Sequence, residues 1–565
     1  MVPKRRLFPN LTPGNLFMIL LAIWAVWKIL QSCFTEILAD EAYYAMYAKY
    51  LDWGYFDHPP MVALFIKLGS FIRGELGTRL FAVIAQIIEL VLLWKIIDEP
   101  HPSKGKVLLF FGIAASVVMF QVYGFVITPD APLLFFTTLF LFLYKKFLQK
   151  QNITLTVALG VAMAGMIYSK YHALLVITLV VVSNPRLLTN WRLYVSGMIT
   201  LLLLIPHIHW QVVHDFPSFS YHMIDRSDGF RFFYLIEFWL NQLVVFNPVM
   251  FVLSIFILFK YKPEDLFERS LYLITGGFIV FFFLTAFRGH VEPHWTITAC
   301  LPMIILLYKY CVRNIKIRKI TYRFIFPVIA ILLVLSTELI FNFSPLNFGF
   351  HGNRQFAAGL SEIVQEKPLL FQNSYQKASL YTYYSGKPAL SLNNSGYRQN
   401  QYDIWNFDES LYRQPVILVT GSSDTLSRAY NIGKDTYWLH DIQSFMPVSR
   451  IKIDFNLPDK IFQEGEKITI PVTVTNPYPF EIDFQHPELP LAFNASLAKR
   501  KKRWRIWASP SEKIGILQPG AGKILDITFV MKGNGEKEFQ AGIGLATPYS
   551  YPAFNSKFQE IKMED

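Results

Sequence analysis

Two neighbouring acids, Asp40 and Glu41, lie in the segment ILADEAYYAMYAKY, directly after the first long apolar stretch of the chain. A carboxylate beside a membrane span is costly unless it faces water, a cavity or a partner, so such a residue is a candidate for function. A carboxylate can also take a proton from a hydroxyl group and so make that group a nucleophile. We therefore expect the chemistry of this protein to be centred on this pair.

The composition indicates that most of the chain lies in a membrane. Of the 565 residues, 53% are hydrophobic and only 17% are charged, which is too apolar for a soluble enzyme of this length. Apolar segments near span length predict a mostly α-helical polytopic protein with about 11 to 13 membrane spans. The opening MVPKRR lacks the small-residue exit site of a cleavable signal, so we expect the first helix to be retained.

The net charge of +12 is explained by the positions of the basic residues. Basic clusters alternate along the chain with acidic connections, as the positive-inside rule predicts for cytoplasmic loops. The distribution therefore argues against nucleic-acid binding. The clusters are Lys4–Arg6, Lys95–Lys106, Lys145–Lys150, Arg186–Arg192, Lys260–Arg269 and Lys309–Arg323.

The connections that alternate with the basic ones contain many of the acids and histidines. With MVPKRR inside, these connections lie outside and hold Asp40 to His58, Asp130, Lys170 and His172, Asp215 to Arg231, and Arg288 to His294. The pattern predicts one extracytoplasmic site above the bilayer. The alternative is that every short loop carries some charge.

The first external connection contains the stretch MVALFIKLGSFIRGELG. Its apolar residues recur at near-helical spacing and are interrupted by Lys67 and Arg73, which favours an amphipathic helix on the membrane surface over a span.

Several motifs resemble those of a known family. They are DEAYYAMYAKY, GYFDHPPMVALFIKL, ITPDAPLLFFTTLF, YSKYHALL and FRGHVEPHWTITACLP, within roughly the first 310 residues. The chain resembles the GT-C fold glycosyltransferases that use polyprenyl-phosphate sugars, in the branch of the bacterial aminoarabinose transferases and the protein O-mannosyltransferases. The resemblance implies transfer of one sugar from a lipid-phosphate carrier, with inversion at the anomeric carbon.

The resemblance also implies roles for individual residues. Asp40 would be the general base or the acid nearest the acceptor hydroxyl, because a sugar or lipid hydroxyl is a poor nucleophile until its proton is removed. Fixed cations would stabilise the departing lipid phosphate. The implied residues are Asp40, Glu41 and Asp130 for catalysis; Lys170, Arg288 and His58 for the donor phosphate; and Asp57, Tyr43, Tyr44, Glu292, His294 and Trp295 for the sugar or acceptor.

Some of these positions have a second interpretation. Aminoarabinose transferases carry Lys before the Pro-Pro pair where this chain has His58, so phosphate binding there would depend on pH. Asp130 is either a site residue or a helix N-cap. Trp295 either stacks on the sugar or anchors the chain at the membrane interface.

The segment RGHVEPHW contains three ligand-type side chains but no helical metal-binding register. We expect no metal ligands and no required cofactor; the alternative is a divalent metal ion.

After Phe341 the composition becomes polar. We expect three domains: residues 1–341 as the transmembrane glycosyltransferase domain, 342–449 as a small extracytoplasmic α/β domain, and 450–565 as an immunoglobulin-like β-sandwich. Alternation such as KITIPVTVTN supports the last of these. The basic run AKRKKRWR within it is either a solvated hairpin or a contact to anionic lipid or polysaccharide.

The sequence thus predicts a glycosyltransferase of the bacterial inner membrane with periplasmic C-terminal domains. Its partners would be a polyprenyl-phosphate sugar donor, a lipid or glycan acceptor and the membrane, without nucleic acid. The alternative is a polytopic transporter or a lipid-carrier flippase, although transporters usually show internal repeats and we find none.

Overall fold

The computed structural model describes residues 11–221, 229–346, 348–421, 423, 427–499, 502–532 and 537–564. These residues form two units, Met1–His351 and Gly352–Asp565. The first unit is helical. Its α-helices are α1 (Pro13–Phe34), α2 (Ala39–Lys49), α3 (Met61–Gly69), α4 (Glu75–Ile97), α5 (Lys104–Ser116), α6 (Val118–Val122), α7 (Asp130–Gln149), α8 (Ile153–Ser169), α9 (Ala173–Ser183), α10 (Trp191–Val213), α11 (Pro217–Ser220), α12 (Phe232–Phe246), α13 (Pro248–Lys260), α14 (Leu266–Thr285), α15 (Cys300–Arg313) and α16 (Ile315–Phe341).

Short polar residues begin many of the long helices. The hydroxyl of Thr12 accepts a hydrogen bond from the backbone of Asn15 at the start of α1. The side chains of Asn152, Asn190 and Asn314 accept from the first turns of α8, α10 and α16 in the same way. Each cap satisfies a backbone N–H that the helix itself leaves unpaired, which fixes where the helix starts.

Within the described residues, seven helical segments are long and apolar enough to cross a membrane. They are α1, α4, α7, α10, α14, Pro293–Arg313 and α16. The pair α12 and α13 is bent by 106° and adds an eighth if it is one broken span. Helices α5, α8 and α9 are shorter, so among the described residues fewer helices pass the length criterion than the 11 to 13 spans that hydropathy predicts. An apolar run shows that a segment is buried in lipid or protein, but it does not fix the length of the helix.

The connection between α1 and α4 holds two short helices, α2 and α3. Helix α3 has nine residues, too few for the ~20 that cross a bilayer. It buries Val62, Phe65 and Ile66 and exposes Leu64 and Leu68. The predicted stretch is thus a helix too short to be a span, which ends at Gly69, and its last residues from Glu75 onward belong to α4. Its position on the membrane surface stays a prediction.

The second unit is rich in strands. A five-stranded sheet with the order β2-β1-β3-β5-β4 is followed by two further sheets, β11-β10-β15-β16-β7 and β12-β14-β8-β6, and by a small pair, β13-β9. The elements are α17 (Asn353–Val364), β1 (Leu369–Gln372), α18 (Tyr375–Ser385), β2 (Ala389–Leu392), α19 (Gln401–Ile404), β3 (Val416–Thr420), β4 (Arg428–Ile432), β5 (Asp435–Ile442), β6 (Lys452–Phe455), β7 (Ile461–Gln463), β8 (Lys467–Thr475), β9 (Ile482–Asp483), β10 (Ala492–Lys499), β11 (Lys502–Trp507), β12 (Ser509–Pro510), β13 (Ile516–Leu517), β14 (Gly522–Val530), β15 (Glu538–Ala546) and β16 (Gln559–Glu564).

The core of this unit lies between the last two large sheets. In β8 every second residue from Ile468 to Val474 is buried, and in β14 Leu525, Ile527 and Phe529 are buried. This alternation is what a sheet with one face in a core requires. The predicted sequence of an α/β region followed by a β-sandwich is confirmed, while the division at residue 449 and the immunoglobulin-like type stay predictions.

Candidate active site

The neighbouring acids Asp40 and Glu41 have opposite environments. They occupy the first turn of α2, where the side chain of Asp40 is exposed and that of Glu41 is fully buried. Successive helical residues point about 100° apart, so one can face solvent while the other faces the core. Glu41 Oε2 accepts a hydrogen bond from the Leu38 N–H at 3.0 Å and so caps the helix. The predicted catalytic role of the pair therefore rests mainly on Asp40.

Glu41 is held by a buried arginine that the sequence analysis did not identify. Arg79, at the start of α4, donates from Nε to Glu41 Oε1 at 2.8 Å and from Nη2 to Oε2 at 2.5 Å. It also donates to the backbone oxygen of Thr35 at 2.9 Å and to that of Glu36 at 2.9 Å. The N–H of Ile127 completes the arrangement by donating to Glu41 Oε1 at 2.9 Å. This cluster fixes α2 against α1, α4 and the connection that leads to α7.

Asp130 is the first residue of α7, three residues after Ile127. Lys170 Nζ donates to its two carboxylate oxygens at 2.8 and 3.0 Å, and both side chains are buried. Nε2 of His294 lies 3.8 Å from Asp130 Oδ2. The N-cap alternative for Asp130 is wrong, because Pro129 occupies the cap position and the carboxylate is bound to Lys170 instead. Three connections far apart in sequence meet at this carboxylate.

Asp57 is buried and accepts hydrogen bonds from two tyrosines of α2. The hydroxyl of Tyr43 donates to Asp57 Oδ2 at 2.9 Å, and that of Tyr47 donates at 3.3 Å. The pKa of Tyr47 lies well above its ordinary value, mainly because the side chain is buried and secondly because Tyr43 and Asp57 are close. This hydroxyl therefore keeps its proton. The rings of Tyr44 and His58 meet edge to face with centroids 5.8 Å apart. The motif YFDHPP is thereby fixed against α2.

The connection between α14 and α15 supplies residues of different exposure. Arg288 is exposed and makes no ion pair within the described residues. Nδ1 of His290 lies 3.1 Å from Oε2 of Glu237 in α12, and its Nε2 lies 3.8 Å from Oε2 of Glu292. The ring of Trp295 meets His172 edge to face at 5.2 Å, so Trp295 packs beside the connection that carries Lys170.

Sequence reasoning missed Glu237, although a signal existed. It is the one charged residue between Arg231 and Lys260, and an acid alone in an apolar segment is a candidate for function. His207, in contrast, is a packed polar residue: its Nε2 lies 3.0 Å from the hydroxyl of Tyr171, and its Nδ1 lies 2.7 Å from the carbonyl oxygen of Trp53. The bond to Trp53 ties α10 to the connection between α1 and α4.

No group of three or more His, Cys, Asp or Glu side chains is placed to hold a metal ion in the described parts of the chain. The predicted independence from metal and cofactor stays a prediction.

The helical architecture can be compared with solved structures. ArnT from Cupriavidus metallidurans, solved in the apo state and bound to undecaprenyl phosphate, superposes with a TM-score of 0.54 in both cases. The match covers 75% of this chain and 97% of ArnT, at 13% and 15% identity. At such identities the likeness establishes the fold alone. The protein is therefore an integral membrane protein with the GT-C fold, and the resemblance predicted from the motifs is confirmed.

Sequence comparisons point to particular relatives. Residues 57–210 match the family model described as dolichyl-phosphate-mannose-protein mannosyltransferase. The lipid A galacturonosyltransferase RgtD of Rhizobium johnstonii is 21% identical over 299 residues, which cover 49% of this chain and 61% of RgtD. The chain thus spans less than two thirds of that relative's length.

Proposed function

We propose that this protein is an inverting glycosyltransferase that moves a single sugar from a polyprenyl-phosphate carrier to an extracytoplasmic acceptor, namely lipid A, an envelope glycan or a protein hydroxyl. One observation carries the proposal: the exposed carboxylate of Asp40 stands on a helix turn that the buried pair of Glu41 and Arg79 immobilises. A carboxylate that is fixed on a rigid helix and exposed to solvent is well placed to contact a substrate.

The proposed reaction is a single displacement. The acceptor hydroxyl oxygen attacks the anomeric carbon, its proton passes to Asp40, and the bond between that carbon and the phosphate oxygen breaks. The carrier leaves as polyprenyl phosphate with one additional negative charge. A base at this position contributes ~10²–10⁴-fold in rate.

The departing phosphate needs positive charge rather than a proton. Arg288 is exposed and makes no ion pair among the described residues, so its guanidinium suits two parallel hydrogen bonds to a phosphate. Lys170 is bound to Asp130 in the structure, and we propose that it shares its charge between that carboxylate and the phosphate. The name of RgtD says that it acts on lipid A, and one ArnT structure was solved with undecaprenyl phosphate. Both relatives support a lipid acceptor and a lipid-phosphate donor for this protein.

The test compares envelope lipids and glycans by mass spectrometry in cells that lack the gene and are complemented with wild type or Asp40→Asn. We expect the mass of one sugar to be present on one envelope molecule with wild type and absent with the variant. Asp98→Asn is a matched control, because this acid is also exposed but belongs to a basic connection. Equal product from Asp40→Asn and wild type, at equal protein level, would remove Asp40 from the mechanism.

A further inference from the structure

The sandwich of the second unit presents an exposed aromatic and basic surface on one edge strand. Strand β11 pairs only with β10 among the described residues, so it forms an edge of its sheet. Along it, Ile506 is buried, Trp504 packs against Phe539, and Arg505 and Trp507 lie on the opposite face. Trp507 is 66% exposed. A tryptophan that faces solvent on an edge strand contributes little to the core and is available for contact.

Arg505 is held in a defined position on this face. Its Nε donates to Oδ1 of Asn494, on the neighbouring strand β10, at 2.7 Å. Its guanidinium lies 4.1 Å from the ring centroid of Trp507 and 5.6 Å from that of Tyr551. The guanidinium therefore contacts two aromatic rings, and one of its N–H groups is already bound.

Tyr551 reaches this position because a later segment crosses the sheet closely. A Cβ built on Gly544 in β15 would lie 2.3 Å from the carbonyl oxygen of Ala553, so a larger residue at position 544 would push the segment away. The N–H of Ser395 donates to the carbonyl oxygen of Pro552 at 2.7 Å and fixes the segment from the other side. Tyr551 itself is 54% exposed. The three side chains thus form one surface, which we call the Trp507–Arg505–Tyr551 platform.

The sequence that leads into and forms β11 is strongly basic. Six of the seven residues from Lys499 to Arg505 are Lys or Arg, and no acid occurs between Glu488 and Glu512. The field near the strand therefore favours anionic ligands.

We propose that the Trp507–Arg505–Tyr551 platform binds an anionic glycan, a polysaccharide whose sugars carry carboxylate or phosphate groups. The flat rings of Trp507 and Tyr551 match the C–H faces of pyranose rings, which are apolar while their edges are polar. Arg505 supplies the planar donor set that carboxylate and phosphate accept in parallel pairs. This combination of stacking surfaces and a fixed guanidinium distinguishes the platform from a merely solvated basic hairpin. The proposal does not depend on the transfer reaction.

The test measures binding of polygalacturonate, a carboxylated glycan, to the full-length protein in phosphatidylcholine nanodiscs. Dextran is the uncharged probe, and vesicles of phosphatidylglycerol in phosphatidylcholine represent an anionic membrane. We expect polygalacturonate to bind more tightly than dextran, and Trp507→Ala, Tyr551→Ala and Arg505→Gln each to weaken its binding at least about tenfold.

Ile524→Ala is the matched control, because this exposed apolar residue lies on β14 in the other sheet, and it should leave binding unchanged. Equal melting temperatures would show that the variants fold. The proposal is overturned if dextran binds as tightly as polygalacturonate, if the three variants bind like wild type, or if only the anionic vesicles bind.

Discussion

At the scale of single residues, the site contains charged groups that are exposed and charged groups that are buried in ion pairs. Asp40 and Arg288 are exposed, whereas Glu41, Asp130 and Lys170 are buried in ion pairs. Removing one member of a buried pair leaves an unpaired charge, so such variants affect stability as well as activity. Variants of the exposed residues report on chemistry more directly.

Lys170→Ala and Arg288→Ala should both weaken binding of the donor, about tenfold each, because each removes a hydrogen bond from a charged group to the phosphate. Only Lys170→Ala should also lower the free energy of unfolding, by ~3–5 kcal/mol, because it leaves Asp130 buried and unpaired. Binding of undecaprenyl phosphate and thermal unfolding in detergent measure the two effects.

The double variant Asp130→Asn with Lys170→Met is the control for the buried pair, since it removes both charges and should regain much of the lost stability. Unchanged phosphate affinity in both single variants would contradict a cationic donor site.

Transfer activity should change little when divalent metals are removed. The proposed base is a carboxylate, and the leaving phosphate is stabilised by side-chain cations, so no step needs a Lewis acid. Activity of purified protein before and after treatment with a chelator measures this. A loss that added Mg²⁺ or Mn²⁺ restores would show a metal-dependent reaction instead.

At the scale of elements, a single buried ion pair holds four segments together. Glu41 and Arg79 connect the end of α1, the start of α2, the start of α4 and the backbone before α7. The surrounding hydrogen bonds satisfy both charged groups, which is the condition under which a buried ion pair is tolerated. The position of Asp40 follows from this arrangement.

Glu41→Gln should therefore lower the free energy of unfolding by ~3–5 kcal/mol, because it leaves the Arg79 guanidinium buried beside a neutral amide. Thermal unfolding of the detergent-solubilised protein measures this. Glu264→Gln removes the carboxylate of an exposed pair with Arg313 and should cost at most ~1 kcal/mol. Equal melting temperatures for the two variants would show that the buried pair does not fix these elements.

At the scale of the whole molecule, the connections that gather at the site must share one side of the membrane. The bond from the Ile127 N–H to Glu41 and the pair of Asp130 with Lys170 join three of them directly. Under the proposed orientation this side is extracytoplasmic, and the basic connections lie in the cytoplasm.

Cysteine labelling tests that orientation. In a background with Cys33, Cys300 and Cys311 replaced by Ser, a cysteine at position 40 should react with an impermeant reagent in spheroplasts. A cysteine in place of Lys262, exposed in a basic connection, should react only after permeabilisation. The reverse pattern would place the site in the cytoplasm and end the proposal of an extracytoplasmic acceptor.

The sequence by itself determined the class of the protein and predicted that its acids gather on one side of the membrane. Apolar segment length, the alternation of basic clusters and the motifs from DEAYYAMYAKY to FRGHVEPHW suffice for this, because each is a local property of the chain. The β-sandwich was predictable for the same reason, from the alternation in KITIPVTVTN.

Only the tertiary structure decided which charged residues are buried and which partners they have. It separated Asp40 from Glu41, paired Asp130 with Lys170 and assigned Arg79 to Glu41, which lies 38 residues away in the sequence. It also placed Tyr551 beside Arg505. These partners are distant in sequence, and which charge meets which depends on how helices and strands pack, so no local pattern records it.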